Sequence, residues 1–169
     1  MKSIRTLLLV LLAAGSALGL VGVVQAYDST RPVSPIYGVQ LPDGYRDWPF
    51  IAPAQEAAPL DELRVVVGNS KAMRAYRENQ RPFPDGTVLV KLAWKHEQSP
   101  DFAPASIPGA ATTVQVMVKD SRKYASTGGW GYGRFIDGKP VDEAQHKTCH
   151  ACHAARVKDR DYVFTQYAR

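Results

Sequence analysis

The stretch TVLVKLAWK, Thr87 to Lys95, alternates residue by residue. In an extended chain Val88, Val90, Leu92 and Trp94 share one face, while Thr87, Leu89, Lys91, Ala93 and Lys95 share the other. A helix would spread these residues around its circumference, so the pattern predicts a β-strand. TTVQVMVKD, Thr112 to Asp120, repeats it, with Val114, Val116 and Val118 opposed to Gln115, Met117 and Lys119. Upstream, ELRVVVGN (Glu62 to Asn69) reads as a strand of β-branched residues ended by glycine. Downstream, GGWGYGRFIDGK (Gly128 to Lys139) reads as another that ends in the turn Asp137-Gly138. In that last strand Gly129, Gly131 and Gly133 oppose Trp130, Tyr132 and Arg134. The bare glycine face admits another backbone or a flat ligand, or else marks a bulged or bent strand.

Between these strands, SKAMRAYREN (Ser70 to Asn79) reads as a short helix capped by Asn69 or Ser70, with Ala72, Met73 and Tyr76 facing inward. Pro84-Asp85-Gly86 turns the chain into the Thr87 strand, and a loop with Pro100, Pro104 and Pro108 follows it. The chain is therefore expected to be mainly β (α+β), with at least four strands, one short helix and no βαβ alternation. Residues 61–169 form the core of one domain. Residues 27–60, rich in proline, are expected to wrap it as an extended segment with few regular elements. Within that segment Tyr45 and Trp48 follow the turn Pro42-Asp43-Gly44 and should pack on the core.

The N-terminus has a different character. Lys2 and Arg5 precede a run from Leu7 to Val24 that is apolar except for Ser16, and Val24-Gln25-Ala26 suits a signal peptidase. Residues 1–26 are read as a signal peptide cleaved after Ala26, which implies export to the periplasm; left uncleaved, the run would be a short membrane anchor. Removing 26 of the 169 residues leaves 143, enough for one domain with a core, and lowers the net charge from +5 to +3 as Lys2 and Arg5 depart. So mild and dispersed a charge implies no nucleic-acid partner.

The chemistry concentrates near the other end. KTCHACHAAR, Lys147 to Arg156, holds the only two cysteines of the chain, Cys149 and Cys152, with His153 directly after the second. Zinc needs four ligands, commonly as two pairs, and neither His96 nor His146 belongs to a second pair. A thioredoxin-type dithiol belongs at a helix start after an early strand of a βαβ unit, which this chain lacks. Covalent attachment of one haem c fits the spacing and the export signal: Cys149 and Cys152 as thioethers, His153 as the iron ligand, and His150 as a solvated spacer. No methionine or histidine follows His153. Met73 and Met117 read more simply as core residues, so the reading favours an open iron site; a methionine on iron would instead make a simple electron-transfer cytochrome.

The order of LPDGYRDW, LRVVVGN, FPDGTVLVK, VMVKDSRKYA, GGWGY and CHACH followed by DYVFTQY resembles the cytochrome P-460 family, which includes the β-sheet cytochromes c′. The strand alternation argues against the helical cytochromes c′, whose haem motif is also late. The resemblance implies a curved antiparallel sheet with haem packed on one face, commonly in a homodimer. It implies that Lys91 matches a lysine bonded to the haem macrocycle and that Arg64 matches a distal-pocket arginine. It further implies hydroxylamine oxidised to nitrogen oxides at an open haem iron, with a redox partner cytochrome as acceptor; a relative without the lysine crosslink would bind NO without catalysis. Gln115 stands where the hydroxylamine-oxidising member has an acidic pocket residue, and glutamine cannot accept a proton as a carboxylate does. The residues alone give Lys91 two readings: an exposed strand lysine, or an amine desolvated between Leu89 and Ala93. Arg64 by itself would equally suit a surface ion pair. Tyr162, Phe164 and Tyr167 are too apolar for a free tail and are expected to pack back beside the haem.

Overall fold

A computed structural model describes residues 30–169. The signal-peptide and cleavage assignments lie outside the described residues. The chain order is β1 (Phe50–Glu56), β2 (Glu62–Gly68), α1 (Ser70–Arg77), β3 (Val88–Gln98), β4 (Ser106–Lys119), β5 (Trp130–Ile136), β6 (Lys139–Pro140) and α2 (Glu143–Val157). The six strands form one curved, open antiparallel sheet in sequence order, β1 to β6, so that every strand pairs with its chain neighbour. The mainly β expectation holds.

Register carries the alternation of each strand into rows across the sheet. Val66, Lys91, Gln115 and Arg134 are successive partners in one row, and Leu89, Met117 and Tyr132 in the next. Partners directly opposite one another share a face, so one face collects Arg64, Val66, Leu89, Lys91, Gln115, Met117, Tyr132 and Arg134. Val90, Leu92, Val116 and Phe135, on the other face, are almost wholly buried.

Two strands exceed the expectation, both through proline. β1 lies inside the segment expected to be irregular, and β4 begins at Ser106, before Pro108. β1 is a sheet edge, so Pro53 sacrifices no ladder bond to a second neighbour. Pro108 pairs with His96 on β3 in the part of β4 that precedes its pairing with β5, which begins at Val114. Proline is tolerated where one side of a strand has no partner.

α1 is capped as expected: the Asn69 side chain accepts the N–H of Ala72, and it also accepts that of Val88, tying the helix start to β3. Its inward residues Met73 and Tyr76 join Phe83 and Trp130 in an aromatic cluster, with Tyr76 and Phe83 5.0 Å apart and Phe83 and Trp130 5.7 Å apart. Tyr45 and Trp48 pack against the core, half-buried. The glycine face of β5 is occupied by the protein itself. A Cβ on Gly131 would stand 2.3 Å from the Tyr124 ring, and one on Gly133 3.1 Å from Val39. The close approach foreseen from the sequence is thus an aromatic ring and the N-terminal segment, which Ser34 pins by donating to the Tyr132 carbonyl.

Candidate haem site

α2 carries the cysteine motif on a 15-residue helix, in addition to the one short helix expected from the sequence. Its start is set by Asp142, whose carboxylate accepts the N–H of Gln145; the pair D-x-x-Q is a capping signal that the sequence displays. The i, i+3, i+4 spacing brings Cys149, Cys152 and His153 to one side of the helix, and both cysteines are free thiols. Four residues before His150, His146 is wholly buried and fully bonded. Its Nε2 accepts the backbone N–H of Arg134 at 3.1 Å, which leaves Nδ1 as the donor to the Asp142 carbonyl at 2.8 Å. His146 therefore docks α2 on β5 and is no ligand.

His153 is held as firmly. Its Nδ1 lies 2.6 Å from the Tyr162 carbonyl, which can only accept, so Nδ1 carries the proton and Nε2 keeps the lone pair. The rings of Tyr132 and Phe164 flank it at 5.1 and 4.9 Å. Burial pushes the His153 imidazolium pKa down and so favours a neutral ring, opposed in part by the bond to the Tyr162 carbonyl. Burial also raises the Cys149 thiol pKa. His150, expected as a solvated spacer, instead stacks obliquely 5.4 Å from the Tyr162 ring, with its Nδ1 buried.

Between this side of α2 and the sheet lies a cavity of about 370 Å3. The motif contributes Cys149, Cys152 and His153, and the sheet contributes Arg64, Lys91, Gln115, Met117, Tyr132 and Arg134. Phe164 and Thr165 of the C-terminal segment close it from the side, as the apolar tail suggested, and the ring of Tyr167 lies 6.1 Å from that of Tyr76. Arg64, Lys91, Gln115, Cys149, Cys152 and His153 thus line one cavity, whereas Tyr162 and Tyr167, expected beside the haem, do not line it. Met73 lies in the core, and Met117 packs against the core while also lining the cavity.

The surroundings of Lys91 depart most from the expectation. Its Nζ bonds to Glu56 Oε2 at 2.6 Å and stands 3.8 Å from Glu62 Oε2. Glu56 Oε1 is in turn 3.0 Å from Arg64 Nε, an ion pair outside hydrogen-bond angle. Lys91 is neither a plain surface lysine nor an amine among apolar neighbours alone: only 17% of its side chain is exposed, and two carboxylates face it. Neither was legible as a site residue. Glu56 sits on the unforeseen strand β1, and Glu62 reads locally as the polar start of β2.

The pattern of the Cytochrome P460 family matches residues 42–165. This chain belongs to the cytochrome P460 family. It is accordingly a haem-binding cytochrome, with iron as its metal. A search of curated proteins found no match. The cavity independently fits the cofactor of a P460 protein. His153 offers an unprotonated Nε2, two thiols stand on the same helical side, and the Tyr132 hydroxyl and Arg134 Nε are buried without a hydrogen-bond partner among the described residues. Unpaired buried donors beside an apolar wall suit a flat ligand with an anionic edge.

Proposed function

We propose that this P460-family chain is an exported c-type monohaem protein that oxidises hydroxylamine to nitrogen oxides at an open iron position. What carries the reading is the meeting in one cavity of Cys149, Cys152 and His153 with Arg64 and Lys91, from strands some sixty to ninety residues earlier in the chain. Cys149 and Cys152 would hold one haem c through thioethers, and His153 would bind its iron through Nε2. The bound haem supplies a Lewis-acidic, redox-active centre for a small nitrogenous ligand, and a partner cytochrome in the periplasm takes the electrons.

The remaining work belongs to the chain. Arg64, its side chain 16% exposed, orients a polar ligand by charge-assisted hydrogen bonding. Lys91 would provide a third attachment, in which an N–H of Nζ and a C–H of the macrocycle give way to an N–C bond while two protons and two electrons leave, the electrons to an external oxidant such as the partner cytochrome. Hydroxylamine loses protons as it is oxidised, and Gln115 cannot take them. Glu56 and Glu62 line the same cavity and are the carboxylates at hand. As in its family by resemblance, the chain acts as a homodimer.

The ion pair between Lys91 and Glu56 favours a second reading, in which Lys91 stays unmodified and the protein binds NO without catalysis. Met117 on the cavity wall supports a third, a simple electron-transfer cytochrome with sulfur on iron. Mass spectrometry of haem peptides separates the first two: attachment at Lys91 supports P460 chemistry and its absence removes it. A low-spin six-coordinate ferric spectrum that is lost in Met117→Ala would establish the third. An attached Lys91 without hydroxylamine turnover, given an added oxidant, would defeat the enzymatic reading for that substrate.

A further inference from the structure

The C-terminal segment holds a buried ion pair that no step above uses. Lys119, at the end of β4, and Asp161 are 2.7 Å apart, with side chains only 6% and 9% exposed. Lys119 Nζ also donates to the Gly128 carbonyl at 3.0 Å and lies 5.0 Å from the centre of the Trp130 ring. The second oxygen of Asp161 accepts the N–H of Phe83 at 2.8 Å. A pair so enclosed costs desolvation and is weak evidence for stability as such, but it defines geometry wherever every lone pair is engaged.

What it defines is the next residue. Asp161 and Tyr162 both adopt left-handed backbone, with φ of 53° and 62°. Such conformations are unfavourable for non-glycine residues and persist where their surroundings impose them. Asp161 is anchored through its carboxylate to β4 and to the Phe83 backbone, and Tyr162 through its N–H to the Val157 carbonyl at 2.9 Å. The Tyr162 ring lies over Gly128, where a Cβ would come within 2.1 Å of it. So held, the Tyr162 carbonyl faces His153 Nδ1 at 2.6 Å.

We infer that the buried Lys119–Asp161 pair is a positioning device for the axial histidine: it fixes the Tyr162 carbonyl and thereby the orientation and basicity of the His153 imidazole. The inference rests on His153 as iron ligand. A short bond from Nδ1–H to a fixed acceptor makes the ring a stronger donor to a metal, and such outer partners tune both potential and ligand exchange. Lys119 and Asp161 are 34 residues or fewer from His153 in sequence, yet they reach it only through the tertiary fold.

The test uses the haem-loaded full chain. Asp161→Asn alone strands Lys119 as a buried cation and endangers folding. The double variant Lys119→Met with Asp161→Asn removes both charges while keeping an acceptor for the Phe83 N–H and a residue that tolerates left-handed backbone. In this variant the iron–histidine stretching band of the ferrous protein should move to lower frequency and the reduction potential should rise, with the thioethers intact. A folded double variant whose band and potential equal those of the parent overturns the inference and leaves the pair a structural clamp. Absence of any iron–histidine band in the parent itself would strike the open-site reading alone, and the reduction potential of the double variant, equal to or above that of the parent, would then decide the inference.

Discussion

One face of the sheet has two ends that solve the same problem differently. At one end Leu89 and Trp130 meet Met73, Tyr76 and Phe83 beneath α1 in a closed cluster, and the one buried cation there, Lys119, is satisfied within the protein. At the other, Arg64, Lys91, Glu56, Glu62 and Arg134 surround a cavity, and the Arg134 Nε and Tyr132 hydroxyl have no hydrogen-bond partner among the described residues. The closed end is filled by the chain's own side chains, although the Trp130 Nε1 there has no hydrogen-bond partner among the described residues. The open end is finished by a ligand. Damage at the first should therefore register in stability, and damage at the second in what the protein holds and does.

The largest effect is expected at the open end. Replacing Cys149 and Cys152 together by serine in a Lys91→Met background, so that no proposed attachment remains, should abolish haem retention through denaturation, seen as loss of haem colour on a denaturing gel; retention would show that haem is attached elsewhere. At the closed end, Trp130→Ala removes a wholly buried indole and should cost about 3–5 kcal/mol in urea unfolding. A much smaller loss would mean that the cluster around it collapses to fill the space. His146→Ala tests the seam between the two ends. It leaves the Arg134 N–H and the Asp142 carbonyl without their partner, at a cost of about 2–3 kcal/mol in the same experiment.

Smaller effects sharpen the contrast. Lys91→Met should cost about 1–3 kcal/mol of unfolding free energy, because Glu56 retains Arg64 but the buried Glu62 loses its cation, and it should alter the haem absorption spectrum. Equal spectra for variant and parent would place Lys91 outside the cofactor's chemistry. The smallest concerns neither end. The hydroxyl and N–H of Ser121 hydrogen-bond Asp85, holding its carboxyl pKa below the ordinary 3.8. A carboxyl lowered in the folded state contributes stability above its unfolded pKa and loses it as pH falls through the folded value. Asp85→Asn should therefore flatten the acid side of the stability curve below about pH 4, a slight change for so exposed a group. An unchanged acid limb would show that the turn contributes nothing.

Much of this architecture was legible locally. The alternation of Val88 to Trp94 and of Val114 to Val118 names both the strands and their faces, because side chains in a strand repeat every two residues. Ala72, Met73 and Tyr76 face inward from the helix start at Asn69 as their spacing requires. β1 escaped because Pro53 argues against a strand in general and only the sheet's edge excuses it. α2 was underestimated because its pattern mixes Cys, His and Lys, although Asp142 and Gln145 mark its start. The alternating glycines raised the correct expectation of close approach but not its object, since the Tyr124 ring arrives from another element.

The sequence by itself determined the strands, the polar face that carries Lys91 and Gln115, and the Cys149, Cys152, His153 motif, since each rests on neighbours along the chain. Only the tertiary structure decided that Glu56 faces Lys91, that His146 is a bonded strut, and that Lys119 and Asp161 stand behind the carbonyl at His153. Those contacts join residues 12 to 42 positions apart in the chain. Their partners are chosen by strand register and by the docking of α2, and charge or hydrogen-bonding capacity shows no preference among such partners until folding brings one within 3 Å.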